Sequence, residues 1–287
     1  MFYYYANSGH KIGLDRVKRG VALLKAMQTK GVEVRLLVND FRAGLVAKTL
    51  GLRDYVTIET VMDIDAIANA GDSVMIDSPE DDKERLIKYC SDFGHVFRFE
   101  ISPNDTVRYS ETLMRAKCEE EACIESIFVD KVYQNDTAKE NRTLFFLGDA
   151  DYDKEILENR AFFESSKMEL LLGNYFFVKY EEELAKLFVR LHEPEEYIDL
   201  LKSSRRVVTT SALTAIEAHA CGADTLYIAT SREQIVPLEV IETLEIPVIE
   251  GFDREAFLAC VAYPNSTQVL PRSVEEIAMQ VIERLKA

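Results

Sequence analysis

The chain has 287 residues, 47% of them hydrophobic, which suits one large domain or two mid-sized ones with substantial cores. Its 50 acidic residues against 34 basic ones leave a formal charge of −16, which repels nucleic-acid phosphates and anionic lipid, and no long basic run offsets it. No stretch reaches about 18 apolar residues and no basic segment leads into a long apolar run, so neither a membrane span nor a signal peptide is expected, and the chain reads as cytoplasmic.

In chain order, residues 2–6 read as a strand and residues 7–13 as a glycine-containing loop. Residues 16–30 read as a helix with Val17, Val21, Leu24 and Met27 on its buried side and Gly31 as its stop. Strands follow at 32–38, 56–58, 73–76 and 96–101, with helices at 42–50, 64–70 and 83–93 between them. Residues 102–141 carry few periodic signals, and the polar stretch 135–141 is the expected linker. A second series then opens with a strand at 143–147 and continues through strands at 175–179, 188–191, 207–209, 226–229 and 248–249. An amphipathic helix at 274–285 ends the chain. The alternation predicts an α/β fold of two doubly wound domains, residues 1–138 and 139–287, facing across a central cleft.

The five cysteines are scattered, form no CxxC pair and have only four histidines for company. Reduced, mostly buried thiols are expected, with no disulfide framework, no metal site and no cofactor. The acidic runs at 119–121 and 181–183 read as solvated helix faces.

Ligands of open α/β sheets bind beyond the carboxyl ends of the strands, so the loops there carry the candidate chemistry. The richest is residues 205–234, a buried strand, a hydroxyl-rich turn, a helix, a glycine stop and a second buried strand. Thr210, Ser211 and Thr214 stand where unpaired N–H groups and the helix dipole favour an anion, and Glu217 follows within a turn. An ordinary N-cap with a buried carboxylate has the same pattern. Gly148 and Asp149 follow the first strand of the second half, which is also common helix-start chemistry. The loop with His10 and Gly13 precedes Arg16, Lys18 and Arg19, whose charges can face a phosphate, although it is not GxGxxG. Asp77 ends a strand of the first half, where a carboxylate or a solvated turn fits equally.

Together these segments resemble the UDP-sugar hydrolases of pseudaminic acid biosynthesis and, more distantly, the lipid II-forming N-acetylglucosaminyltransferase. Both have the GT-B fold, and the resemblance implies here two Rossmann-like domains with the last helix returning toward the first. In VVTTSALTAIEAHACGADTLYIATSREQ, Glu217 matches the position expected to bind ribose or sugar hydroxyls and Gln234 the position expected near the sugar. The same resemblance places Gly148 and Asp149 at the diphosphate and Leu191 and His192 at the base. The segment IGLDRVKRGVALLK resembles the family's IGxGHxxR, but Arg16 stands where the hydrolases carry a catalytic histidine, Asn7 replaces an aspartate, and Ser78 replaces the histidine after Asp77. Arginine stays protonated, so Arg16 can hold a phosphate or carboxylate but cannot act as acid or base, which leaves His10 or Asp77 for that role. The implied ligand is a UDP-sugar or related nucleotide-sugar, held without a metal. The implied activity is cleavage or transfer of the sugar in surface or flagellar glycan biosynthesis. The alternative is a relative that has lost hydrolysis and serves as a nucleotide-sugar-binding or assembly protein with a protein partner.

Overall fold

A computed structural model describes residues 1–118, 122–134, 137–164, 166–262 and 269–286. The chain folds into two compact units, one of Met1–Gly9, Leu14–Asp130 and Arg272–Ala287, the other of His10–Gly13 and Lys131–Pro271. The acidic run at 119–121 and the first two residues of the expected linker lie outside the described residues.

The first unit opens with β1 (Phe2–Ala6), α1 (Asp15–Thr29), β2 (Val34–Val38), α2 (Phe41–Thr49), β3 (Tyr55–Thr57), β4 (Ser73–Asp77), α3 (Arg85–Asp92) and β5 (His95–Phe99). It continues through β6 (Thr112–Arg115), β7 (Cys123–Glu125) and β8 (Phe128–Val129). Seven of these strands form a parallel sheet in the order β3-β2-β1-β4-β5-β6-β7. Both faces of such a sheet are covered by helices, which is why β1 is an uninterrupted buried run, FYYYA, rather than an alternating one. Strand order reverses between β1 and β4, where Ala6 pairs in register with Asp77 and their carboxyl ends lie side by side. Gly20, the glycine of α1, is a packing requirement: a Cβ there would stand 2.6 Å from the ring of Tyr4.

The second unit carries β9 (Glu140–Phe146), α4 (Glu155–Glu158), α5 (Arg160–Phe163), β10 (Glu169–Leu171), α6 (Val178–Leu184), β11 (Leu191–His192) and α7 (Tyr197–Ser203). It is completed by β12 (Ser204–Thr209), α8 (Ala212–Ala220), β13 (Asp224–Ala229), α9 (Leu238–Thr243), β14 (Val248–Glu250) and α10 (Arg254–Ala262). Its six strands are parallel in the order β11-β10-β9-β12-β13-β14, the doubly wound pattern again, with the reversal between β9 and β12. An aromatic cluster of Phe145, Phe162, Phe163, Phe188, Phe252 and Phe257 fills one side of this sheet. The chain then re-enters the first unit as β15 (Arg272–Ser273), paired with β8, and α11 (Val274–Arg284), packed on α1. No helix among the described residues is long and apolar enough to cross a membrane.

Several sequence expectations are corrected. The strand expected at 175–179 is absent: Tyr175 is buried in a turn, and residues from Val178 wind into α6. The strand of this layer is β10, drawn from the buried run beginning at Met168. Phe188 joins the aromatic core instead of a strand, and pairing begins only at Leu191. The helix expected at 64–70 is a 3-10 turn, Val61–Ala66, closed by a capping box between Thr60 and Asp63. Residues 102–141, without clear periodicity, supply β6, β7 and β8, because strands of two to four residues are too short to show a period. Cys118 and Cys123 form a disulfide with Cα atoms 5.8 Å apart, so the reading of uniformly reduced thiols does not hold.

Candidate functional site

At the first unit's strand reversal, Asp77 is buried and almost fully engaged. Arg19 grips it bidentately, with Nη2 2.7 Å from Oδ1 and Nε 3.0 Å from Oδ2, while the Tyr4 hydroxyl donates to Oδ2 at 2.6 Å. Arg16 Nε lies 3.5 Å from Oδ1. Arg19 also stacks its guanidinium 3.8 Å from the centroid of the Phe99 ring. Burial opposes the Arg19 cation but the Asp77 carboxylate outweighs it, so its pKa is raised; burial and the same carboxylate push the Tyr4 hydroxyl well above its ordinary value. Ser78, at the position of a family histidine, donates its hydroxyl 2.9 Å to Glu80 Oε2, to which Tyr5 donates at 2.5 Å. Asp77 is thus a counter-ion for two arginines that come from one turn of α1.

At the second unit's reversal, Thr209 pairs with Phe146, and the segment just beyond them gathers most of the expected binding residues. The Thr210 hydroxyl donates to the Leu147 carbonyl, tying the start of α8 to the loop at Gly148. Gly148 has φ +135°, a conformation that side chains disfavour. Asp149 is buried, with Asn174 Nδ2 2.8 Å from its Oδ1 and the Tyr175 N–H 2.9 Å from its carbonyl. Gly173 is obligatory here, since a Cβ would fall 2.5 Å from the Asp149 carbonyl group and the Gly148 oxygen. The start of α8 is closed by neutral acceptors: Ser211 Oγ accepts from the Thr214 N–H at 3.1 Å and Gln234 Oε1 from the Ala212 N–H at 2.8 Å. Glu217 is buried one turn in, and the Tyr197 hydroxyl donates to its Oε2 at 2.5 Å while lying 2.8 Å from Thr214 Oγ1.

His10 and Gly13 belong to this unit as well. The His10 ring meets Tyr175 edge-on at 5.6 Å, and a Cβ at Gly13 would lie 3.9 Å from the Asp149 side chain. His192 stands apart, on the far edge strand β11. Its side chain is buried, with Nε2 2.6 Å from Glu169 Oε2.

The sequence reading missed Arg232. Its Nη1 donates to the Ala150 carbonyl at 2.7 Å and its Nε to Glu155 Oε2 at 2.6 Å, so it neutralises the acidic loop that follows Gly148. Asp151 in that loop accepts from the Glu155 N–H at 2.7 Å and from the Tyr180 hydroxyl. Tyr197 and Arg232 gave no local signal, because each acts across long sequence separations. Gly173 was legible in principle, as a glycine ending the apolar run LLLG.

No protein-family model matches the chain, and no curated protein sequence matches it. Solved structures do. A UDP-GlcNAc 2-epimerase from Methanocaldococcus jannaschii, in complex with UDP-GlcNAc and UDP, superposes with a TM-score of 0.61 at 10% identity, covering 100% of this chain and 99% of that one. A glycosyltransferase involved in avilamycin A biosynthesis gives a TM-score of 0.56 at 16% identity, covering 99% and 96%. The UDP-GlcNAc 2-epimerase from Neisseria meningitidis, bound to UDP-GlcNAc, gives 0.52 at 10% identity with both chains fully covered. Identities this low speak for architecture, and the chain has a GT-B-like α/β fold built of two Rossmann-like units.

Proposed function

We propose that the chain binds a nucleotide-sugar of the UDP type through its second unit and cleaves or transfers the sugar. The observation that carries this reading is the convergence, at the β9–β12 reversal, of the positive-φ Gly148 loop, the hydroxyl-lined start of α8 and the Glu217 carboxylate. The diphosphate takes the N–H groups at the start of α8 in place of Gln234 and the hydroxyl caps. Charge-assisted hydrogen bonds are roughly twice as strong as neutral ones, so that exchange is favourable. Glu217, oriented by Tyr197, then accepts from ribose or sugar hydroxyls. The bound ligands of the epimerase neighbours support this chemistry, and the motif resemblance adds the surface-glycan, pseudaminic-type setting in the cytoplasm.

For turnover, His10 is the acid–base group best placed in the same unit, exposed and beside the Asp149 loop through Gly13. A thermal-shift screen with UDP, UDP-N-acetylhexosamines and 6-deoxy relatives tests binding; ligand at 100 times its Kd adds about 2.7 kcal/mol. UDP release from any stabilising nucleotide-sugar, and its fall by about 100-fold in His10→Ala, tests catalysis. No stabilisation by any nucleotide or nucleotide-sugar would sink the reading.

A second reading, a binder without turnover, is favoured by one observation: Asp77 is neutralised by Arg19 and Arg16 and is not held as a base. Stabilisation by UDP-sugars with no UDP released is its signature.

A further inference from the structure

A cavity of about 410 Å³ adjoins the Cys118–Cys123 disulfide, wholly within the first unit and unused by the function proposed above. Both cysteines line it, together with Glu125 and, from the C-terminal segment, Arg272, Glu283 and Arg284. Both cysteines are half-buried, not sealed. Cys221, by contrast, is buried, and desolvation pushes its thiol up to about 12, which leaves it protonated and inert at neutral pH.

Thiol–disulfide exchange needs a reachable sulfur and a leaving thiolate that its surroundings favour. Both cysteines line the cavity, together with Arg272 and Arg284, whose charge favours thiolates over thiols, and with Glu125 and Glu283, whose charge opposes it. Glu125 holds Arg272 in place, Nε to Oε2 at 2.8 Å. Two cationic and two anionic side chains around a space of ligand size match a small thiol that itself carries carboxylates and an ammonium group. The disulfide also sits at a sensitive place. Cys123 begins β7, which among the described residues is the edge strand beside β6 and packs against α11.

We propose that Cys118–Cys123 is a reversible thiol–disulfide exchange site for a small charged thiol of the peptidyl class, seated in this cavity, and that reduction loosens β7. The thiolate of the small thiol attacks one cysteine sulfur. A mixed disulfide forms as the Cys118–Cys123 bond breaks, and the electron pair leaves on the other sulfur, which takes up a proton. A second small thiolate attacks the outer sulfur of the mixed disulfide and releases the second cysteine thiolate. Two small thiols are oxidised to their disulfide while the protein gains two electrons and two protons.

The full chain, purified without reductant and alkylated after denaturation, should label at the three free cysteines; after native incubation with reduced glutathione it should label at all five. The rate with glutathione relative to 2-mercaptoethanol should fall about tenfold in Arg284→Gln, with Glu283→Gln giving the same comparison from the acidic side. Cys118→Ser and Cys123→Ser should each trap a mixed disulfide with oxidised glutathione, visible by intact mass. Amide exchange in β7 should rise on reduction while β1 and β4 stay protected. Labelling of all five cysteines without reductant, equal rate ratios in both charge variants, or unchanged exchange in β7 would each overturn the proposal. None of these readouts depends on nucleotide-sugar binding.

Discussion

Replacing Asp77 with alanine separates a structural carboxylate from a catalytic one. The substitution leaves the Arg19 guanidinium buried against Phe99 with no carboxylate and the Tyr4 hydroxyl without its 2.6 Å acceptor. Removing one partner of a buried ion pair costs about 3–5 kcal/mol, because the remaining charge stays desolvated. Arg19→Met should cost less, about 2 kcal/mol, since Asp77 keeps Tyr4 and has Arg16 at 3.5 Å. The double variant Arg19→Met, Asp77→Leu removes both charges and should recover about 2 kcal/mol or more relative to the sum of the single losses. The chain contains no tryptophan, so urea unfolding is best followed by far-UV circular dichroism. Hydrogen exchange at β1 and β4 assigns the loss to the first unit, and the second unit serves as an internal reference. A loss below about 1 kcal/mol in Asp77→Ala, or strictly additive single losses, would refute the ion-network argument. Loss of turnover in Asp77→Asn at unchanged stability would instead mark a catalytic base.

Gly173→Ala should destabilise the second unit by about 1–3 kcal/mol and weaken stabilisation by UDP, because two backbone segments must part; an unchanged melting temperature would contradict the packing. Glu217→Ala should weaken UDP-sugar binding by about 5- to 150-fold in titration calorimetry, the equivalent of about 1–3 kcal/mol, and equal affinity would remove Glu217 from the site. Burial tends to raise the carboxyls of Asp105 and Glu111, but hydrogen bonds from Arg98 and from backbone N–H groups outweigh it and hold both below their ordinary values. Their contribution is therefore present above the unfolded values near pH 4 and is lost as pH falls through the lower folded values. Melting temperature should drop steeply below about pH 4, and Glu111→Gln should flatten that limb; an unchanged slope would refute the assignment. Reducing Cys118–Cys123, which closes a small loop, should cost about 2 kcal/mol in chemical denaturation, and no difference would show that the crosslink leaves the unfolded chain unconstrained.

The sequence alone determined the α/β class and the placement of most strands, because strands covered on both faces, such as β1, read as continuous buried runs wherever they sit. It also located the hydroxyl-rich start of α8 and the glycine loop after β9, since both are local backbone requirements written in consecutive residues. Short edge strands such as β7 and β11 were not legible, because two or three residues carry no period and their pairing depends on a neighbour far along the chain. Nor was the engagement of each polar group. Asp77 read equally well as a cleft carboxylate, and only packing brought Arg19 from α1 to its side at 2.7 Å. The same holds for Tyr197 on Glu217, for Gln234 on the start of α8, and for the meeting of Cys118 with Cys123. Local propensity records what a residue prefers, whereas the charge it faces or the donor it satisfies is set by which segments the sheet order brings together.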